Sequence, residues 1–352
     1  MANLSPQNPQ FFQNLGCKYP LIQAPMAGVQ DSRLAIAVCQ TGGIGSLPCA
    51  MLNLAQIESQ IAAIRNQTEG VFNVNFFAHQ AVDYTPQMQE KWFNAIQPYY
   101  TEFGLAQVDI MTTGGRQPFN RETAELIADL KLPIVSFHFG LPEPELLALV
   151  KSSGAKIWSS ATTIAEAKWL EANGVDAIIA QGLEAGGHRG MFLSPDVTLQ
   201  MGTFSLLPHI VKAVKVPVIA AGGISDGATA KAGFDMGASM VQVGTAFLLA
   251  DEADTKPFHR QALQSERALH TTLTNLFSGG LARGIVNRFI AEMGYIHADA
   301  PPFPHASFVT NPVKNASETQ NSDDFSALWA GQNANLAKAG TAEQIIENLM
   351  KG

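Results

Sequence analysis

The chain has 352 residues, of which 46% are hydrophobic and 15% charged, with a formal net charge of −8 at pH 7. This composition supplies enough apolar surface for the core of a large globular domain. The acidic balance, without any lysine- or arginine-rich run, argues against nucleic acid and anionic membrane surfaces as partners. No stretch reaches the roughly 20 apolar residues that a membrane-spanning helix needs.

The cysteines indicate a reducing compartment. Cys17, Cys39 and Cys49 form no C-x-x-C pair, and an odd number of scattered cysteines is typical of reduced thiols. The segment Met1–Gln10 has neither the basic nor the apolar part of a secretory signal. We therefore expect a cytoplasmic protein without a metal site.

Apolar segments of strand length alternate with helical patterns over most of the chain. Eight strands are predicted, at Leu21–Pro25, Ile44–Leu47, Val71–Asn75, Pro133–His138, Lys156–Ser159, Asp176–Ala180, Pro217–Ala221 and Met240–Val243. Helical segments lie between them, at Leu34–Gln40, Gln56–Arg65, Glu122–Leu130, Glu143–Lys151, Thr163–Asn173, Leu206–Lys215 and Ala228–Met236. Such alternation implies parallel pairing through βαβ units, and eight strands predict a (β/α)₈ TIM barrel.

Two observations leave alternatives to a simple barrel. Val108–Met111 is a ninth candidate strand, which we place within the connection between the third and fourth strands. A doubly wound open sheet is the competing fold. Its dinucleotide fingerprint is missing, because Gly43 and Gly45 are followed by Pro48 where the third glycine belongs. The barrel is therefore favoured.

The alternation stops after Phe247. Residues 251–324 are rich in Pro, His, Asn and Ser, and the run Pro301–Pro304 removes backbone donors that regular structure needs. We predict that residues 251–324 form a small cap subdomain inserted after the eighth strand. Residues 327–352 look helical again, so the barrel is predicted to comprise residues 15–250 and 325–352.

Polar motifs follow several of the predicted strands, at the end of a barrel where active sites lie. The most informative is Gln181–Gly190, in which an amide, an imidazole and a guanidinium stand among glycines that allow close approach to a ligand. Ala220–Gly227, with Gly222 and Gly223, and Gln242–Thr245 end the last two strands and predict a phosphate site, with tight turns alone as the alternative.

Amide and imidazole side chains supply the candidate chemistry. Asn75 and Gln181 place primary amides at strand ends, which suits the edge of a flavin pyrimidine, although local backbone bonding explains them equally well. His188 is the candidate general base, because imidazole titrates near neutral pH. His138 is predicted either to contact substrate or to be hydrogen-bonded beside the barrel mouth. Arg189 and Glu184 are interpreted as mainly structural.

These segments resemble the class I nitronate monooxygenases, formerly called 2-nitropropane dioxygenases. The resemblance rests on Gln23–Gly28, Gln181–Gly190, Pro217–Gly227, Val241–Thr245 and Ser278–Phe289. It implies a barrel that holds FMN without a covalent bond. It also implies oxidation of alkyl nitronates, typically propionate 3-nitronate, with O₂ to a carbonyl compound and nitrite, without reduced nicotinamide. Gly280 and residues 298–314 depart from the family pattern, so Phe303, Phe308 and Lys314 receive no role.

The resemblance also implies roles for individual residues. His188 occupies the position of the catalytic histidine, which deprotonates nitroalkanes or positions the nitronate, and His138 is taken as a substrate-binding residue. The expected cofactor-binding residues are Ala24, Pro25, Met26, Asn75, Gln181, Gly186, Gly222, Gly223, Gln242, Val243, Gly244 and Thr245.

Other functions remain compatible with the motifs. An FMN barrel that uses NAD(P)H, such as a quinone or enoyl-thioester reductase, resembles the same Gly-Gly-His loop. A barrel similar to IMP dehydrogenase would need a nucleophilic cysteine, and none follows Cys49. A non-catalytic barrel that binds a phosphate ligand is a third alternative. A homodimer is compatible with the sequence.

Overall fold

The computed structural model describes residues 6–107 and 117–351. Its centre is an eight-stranded parallel sheet. In chain order the strands are β1 (Leu21–Gln23), β2 (Gly45–Pro48), β3 (Phe72–Phe77), β4 (Ile134–His138), β5 (Lys156–Ala161), β6 (Ala177–Gln181), β7 (Val218–Ala221) and β8 (Met240–Val243). The ninth candidate strand, Val108–Met111, lies outside the described residues.

The sheet closes on itself. Its order is β1-β8-β7-β6-β5-β4-β3-β2, and every pairing is parallel. The two ends meet where Ile44 pairs with Ile22: the Ile44 amide donates to the Leu21 carbonyl and the Gln23 amide to the Ile44 carbonyl, both at 2.9 Å. This closure confirms the predicted (β/α)₈ barrel.

Helices surround the barrel and continue beyond it. They are α1 (Pro9–Asn14), α2 (Ser32–Thr41), α3 (Leu54–Gln67), α4 (Pro86–Glu102), α5 (Arg121–Leu130), α6 (Pro144–Ser152), α7 (Ile164–Ala172), α8 (Thr203–Ala213), α9 (Gly227–Asp235), α10 (Pro257–Leu263), α11 (Arg288–Met293), α12 (Ala306–Thr319) and α13 (Ala342–Met350). Capping boxes define several starts, as at Thr341 and Gln344 of α13. No helix within the described ranges is long and apolar enough to cross a membrane.

Strand side chains alternate between the helix layer and the barrel interior. In β6, Ile178 and Ala180 pack in the core shared with the outer helices, whereas Ala177 and Ile179 belong to an inner cluster. That inner cluster includes Trp158, and helix α1 adds Phe11 and Phe12 to it. The amino-terminal end of the barrel is thus filled by apolar side chains.

A second core lies outside the barrel. Buried aromatic and aliphatic residues of α4, including Trp92 and Tyr100, pack against side chains from residues 276–325. The Tyr100 hydroxyl donates to the Val309 carbonyl at 2.6 Å, and the Trp92 indole donates to Thr310 Oγ1 at 3.2 Å. Each buried aromatic side chain stabilises such a core by about 1.5–3 kcal/mol. The sequence did not reveal that α4 belongs to this layer.

The segments that build this second core outside the barrel, α4 and residues 271–325, are called the cap below. A small antiparallel sheet connects the cap to the barrel. Strand β9 (Thr271–Thr274) pairs with β10 (Ala282–Ile285), and β10 also pairs with the two-residue strand Gly187–His188. The Gly-Gly-His loop is therefore the third strand of the cap sheet.

The carboxyl-terminal segment differs in part from the prediction. Helix α13 packs against α2 and α9. Residues 327–341, predicted to be helical, instead run as a loop with one short 3₁₀ turn at Ala334–Leu336. Gly331 permits this close path, because a Cβ there would lie 2.7 Å from the Glu184 carbonyl oxygen.

Candidate active site

One cavity lies at the carboxyl-terminal end of the strands. It brings together nearly all the residues that the sequence suggested, namely Ala24, Pro25, Met26, Asn75, His138, Gln181, Gly186, His188, Gly222, Gly223, Gln242, Gly244 and Thr245. Val243 does not line it. Its side chain packs in the core, while its carbonyl accepts a 2.8 Å hydrogen bond from the Ala24 amide.

His188 has a defined position in this cavity. Its Nε2 lies 2.7 Å from Ser278 Oγ. Two side chains, Gln181 and His138, bind its carbonyl oxygen through their Nε2 atoms, at 2.9 and 3.1 Å. Four aromatic rings lie with centroids 5.1 to 6.3 Å from the imidazole, those of Phe77, Phe139, Phe303 and Trp329. The imidazole is thus held in largely apolar surroundings.

His138 uses both of its ring nitrogens within the protein. Nδ1 lies 2.6 Å from Ser160 Oγ, and Nε2 must carry the proton because its partner, the His188 carbonyl, can only accept. Burial lowers the pKa of His138 to about 4, against the opposing effect of the bond to His188. A neutral His138 that supports the His188 backbone favours the second of the two roles expected from sequence.

The two predicted amides also make internal hydrogen bonds. Gln181 Oε1 accepts from the Gly190 amide at 2.8 Å, so this side chain spans the loop that carries His188. Asn75 Nδ2 donates to Ser136 Oγ at 2.9 Å. Each amide nitrogen has two hydrogens. Both side chains line the cavity. Asn75 Nδ2 also donates to the Ser136 carbonyl at 3.3 Å, so it is Gln181 that can offer its second hydrogen to a ligand.

Arg189 and Glu184 secure the loop. The Arg189 guanidinium is buried and donates to the carbonyl of Gly182 at 2.6 Å and to that of Gln181 at 2.7 Å. Burial lowers the pKa of Arg189 to about 10. Glu184 accepts hydrogen bonds from the amide and hydroxyl of Thr203 at the first turn of α8. These contacts agree with mainly structural roles.

Two consecutive glycines form a tight turn after β7. Gly222 and Gly223 both have positive φ, at 106° and 72°, a conformation that turns successive amides toward one side. A Cβ on Gly222 would lie 3.0 Å from the Ala185 amide nitrogen. The first turn of α9 is capped by Asp226, which accepts from the Thr229 amide at 2.8 Å. The amides of the turn, rather than the end of α9, are therefore suited to a phosphate.

Gln242 contributes an unusual buried acceptor. Its Oε1 is buried and has no hydrogen-bond partner among the described residues. Buried polar atoms are almost always hydrogen-bonded. Because Gln242 lines the cavity, its oxygen indicates a ligand that donates a hydrogen bond at this place.

Sequence reasoning missed part of the cavity wall. Asn333 Nδ2 donates to the Gly223 carbonyl at 2.6 Å, and the Gly331 amide donates to Thr245 Oγ1 at 2.9 Å. Phe77, Ser160, His259 and Trp329 also line the cavity. The one available signal was Gly331, a glycine inside a segment that otherwise looked helical. No group of three or more metal-binding side chains occurs within residues 6–107 and 117–351.

Comparison with known proteins gives a consistent result. A protein from Staphylococcus aureus (strain Newman), described as a probable nitronate monooxygenase, is 37% identical over 339 residues, which is 96% of this chain and 95% of the relative. A nitroalkane oxidase from Streptomyces ansochromogenes has a similar structure, with a TM-score of 0.88, 35% identity and 96% of each chain covered. FabK from Thermotoga maritima matches with a TM-score of 0.73, 25% identity and coverage of 97% and 95%.

The family model for nitronate monooxygenase matches residues 8–352, almost the whole chain. The match includes every strand of the barrel and every residue of the cavity described above. The resemblance drawn from sequence motifs is therefore confirmed, and the chain is an oxidoreductase that belongs to the nitronate monooxygenase family.

Proposed function

We propose that the protein binds FMN in this cavity and oxidises alkyl nitronates of the propionate 3-nitronate type. The products would be a carbonyl compound and nitrite, with O₂ as the second substrate. The observation that carries the proposal is the single cavity that joins a glycine turn suited to phosphate, an unpaired Gln242 acceptor and the His188 imidazole. Membership of the family supports the class of reaction.

The residues of the cavity fit a flavin nucleotide. The left-handed turn at Gly222 and Gly223, beside Gly244 and Thr245, supplies backbone amides for the phosphate. Gln242 Oε1 needs a donor, and the imide N–H of an isoalloxazine ring is one. Gln181 would contribute an amide donor, with Asn75, Ala24, Pro25 and Met26 lining the ring. When bound, FMN would accept electrons from the substrate and pass them to O₂.

His188 would act on the substrate carbon or its nitro group. With a neutral nitroalkane, the imidazole would accept the proton from the carbon next to the nitro group. With a preformed nitronate no proton is removed, and the same ring would position the anion. The surrounding aromatic rings give the imidazole surroundings of low polarity, in which a hydrogen bond between imidazole and anion would be stronger than in water.

His138 and Gln181 would serve the reaction by holding His188. Both bind its carbonyl oxygen, which fixes the backbone from which the imidazole projects. A general base must lie within hydrogen-bond reach of the proton that it removes, so this support matters for the rate. We propose that His138 acts through this contact, as a neutral donor, rather than by contact with the substrate.

The experiment is an anaerobic absorbance titration of the purified, FMN-loaded protein. We expect propionate 3-nitronate to change the flavin spectrum and admitted air to restore it, while NADH leaves the spectrum unchanged. Rapid bleaching by NADH, without a response to nitronate, would instead support the NAD(P)H-dependent reductase. A purified protein that retains no flavin would contradict both and favour a non-catalytic barrel.

Two further properties are proposals of the same kind. The three cysteines are buried and unpaired, and burial raises the pKa of Cys17 to about 12 and of Cys39 to about 11. Protonated thiols of this kind fit a cytoplasmic protein. A homodimer remains a proposal, which light scattering of the purified protein would test.

A further inference from the structure

We propose that Ser278 is a positioning residue that sustains His188 as a base through both of its protonation states. The proposal rests on the proposed function, because it concerns the step in which a neutral nitroalkane loses a proton. Its starting observation is the 2.7 Å contact between Ser278 Oγ and His188 Nε2. Ser278 belongs to the cap, whereas the loop that carries His188 leaves the barrel after β6.

Ser278 is held firmly by the cap. Its side chain is 6% exposed, and its neighbours Leu276 and Phe277 are buried in the second core. Thr310 Oγ1 donates to the Leu276 carbonyl at 3.0 Å, and the Gly279 amide donates to the Asn275 carbonyl at 2.8 Å. A hydroxyl on such a support keeps its place when the imidazole changes charge.

Serine suits this position because its hydroxyl oxygen can accept from Nε2–H whether the imidazole is neutral or protonated. In the proton transfer the substrate C–H bond breaks, its electron pair stays on the substrate as the nitronate, and the proton goes to His188 Nδ1, because Nε2 already carries the hydrogen that it donates to Ser278. Both ring nitrogens then carry hydrogen, and Ser278 Oγ accepts from Nε2–H. In the aromatic surroundings of His188, this acceptor stabilises the imidazolium.

The pairing between β10 and the strand Gly187–His188 also holds His188 close to Ser278. His188 lies opposite Ala282, and Gly187 opposite Arg283 of β10, so the backbone of His188 is in register with the cap that carries Ser278. A Cβ on Gly280, between Ser278 and β10, would lie 3.3 Å from His188 Cδ2. The cap thus holds His188 at two places, the backbone through strand pairing and the imidazole Nε2 through Ser278.

The test compares nitroethane with ethyl nitronate, two substrates that differ only in the proton that His188 must remove. We expect Ser278→Ala to lower kcat/KM for nitroethane about tenfold more than for ethyl nitronate. Ser278→Thr keeps the hydroxyl and should recover most of the loss. The control is Ser317→Ala, which removes another buried cap hydroxyl, one that donates to the Ser322 carbonyl at 3.1 Å, and should leave the ratio unchanged.

Two pH measurements distinguish this role from packing. Nitroethane turnover needs unprotonated His188 and so rises with pH; in Ser278→Ala its midpoint should move to lower pH, because the imidazolium loses its acceptor. The same displacement should appear when imidazole resonances of the wild type and the variant are titrated by NMR. An unchanged midpoint in the NMR titration, or an equal loss with both substrates, would overturn the proposal. Ser278→Cys, nearly isosteric, replaces the alanine variant if that one fails to fold.

Failure of the proposed function would look different. In that case the wild type would oxidise neither nitroethane nor ethyl nitronate, although its flavin is bound. The NMR titration does not depend on turnover, so it would still show whether Ser278 stabilises protonated His188.

Discussion

The two ends of the barrel are built from the same strands but have opposite chemistry. On the inward face of β4, Ile134 is followed by Ser136 and His138; on that of β6, Ile179 is followed by Gln181. Ile134 and Ile179 belong to the inner apolar cluster that α1 completes, whereas His138 and Gln181 line the cavity, with Ile179 at the border between the two. Side chains two residues apart on the same face of a strand thus belong to different regions, the first to the apolar cluster and the next to the cavity.

The difference teaches where a mutation should act. At the amino-terminal end, side chains contribute by burial alone, so their loss should lower the free energy of unfolding without changing the reaction. At the carboxyl-terminal end, polar side chains are held by specific hydrogen bonds, so their loss should change the reaction or cofactor binding first. The following variants test this separation.

The largest effect is expected for His188→Asn. Removing the base should lower kcat/KM for a neutral nitroalkane by about 10²–10⁴-fold, while FMN stays bound. Steady-state kinetics and the flavin absorbance of the purified variant measure both properties. His209→Asn, an exposed histidine on α8, is the matched control. Undiminished nitroalkane turnover in His188→Asn would remove the base from the mechanism.

A substitution at the amino-terminal end of the barrel should lower stability but leave turnover nearly unchanged. Phe12→Ala removes an aromatic ring from the inner apolar cluster at the amino-terminal end of the barrel and should lower the free energy of unfolding by about 3 kcal/mol. Turnover per bound flavin should stay within about twofold, because the site lies at the other end of the strands. Urea unfolding followed by circular dichroism measures the first quantity. A large loss of turnover in folded protein would show that the two ends are coupled.

The smallest of these effects concerns Gly222. A valine there must adopt a φ of 106° and place its Cβ against the Ala185 amide, so FMN should dissociate at least about tenfold more readily. Gly154→Ala is the control, since Gly154 has a φ of 89° with no atom near its Cβ position. Fluorescence of released FMN during dialysis reports the difference. Equal retention in the Gly222 variant and the control would contradict the phosphate assignment.

The sequence was sufficient for the barrel because buried parallel strands leave continuous apolar runs, as in Ala177–Ala180, followed by glycine-rich turns. Helix α4 was missed because much of it is polar and it contains Pro98, so its pattern resembles a connection. The apolar stripe of α4 packs against residues 276–325, and the hydrophobic periodicity of a sequence does not indicate which segment a buried helix face contacts.

The same limit applies to the site. His188, Gln181 and the glycine turns follow strands directly, so their positions follow from the barrel itself. Ser278 contacts His188 Nε2, and Asn333 the Gly223 carbonyl, from segments 90 and 110 residues away along the chain. Such contacts depend on how the cap and the residue 327–341 loop pack over the barrel, which no local pattern encodes.

The small sheet that joins β10 to Gly187–His188 has a consequence for motion. A hinged lid needs a boundary across which few contacts must break. Here the boundary runs through two backbone pairs, Gly187 with Arg283 and His188 with Ala282. Opening the cap as a rigid body would pull the imidazole away from the barrel together with Ser278. The pairing therefore couples any rigid-body movement of the cap to the position of His188.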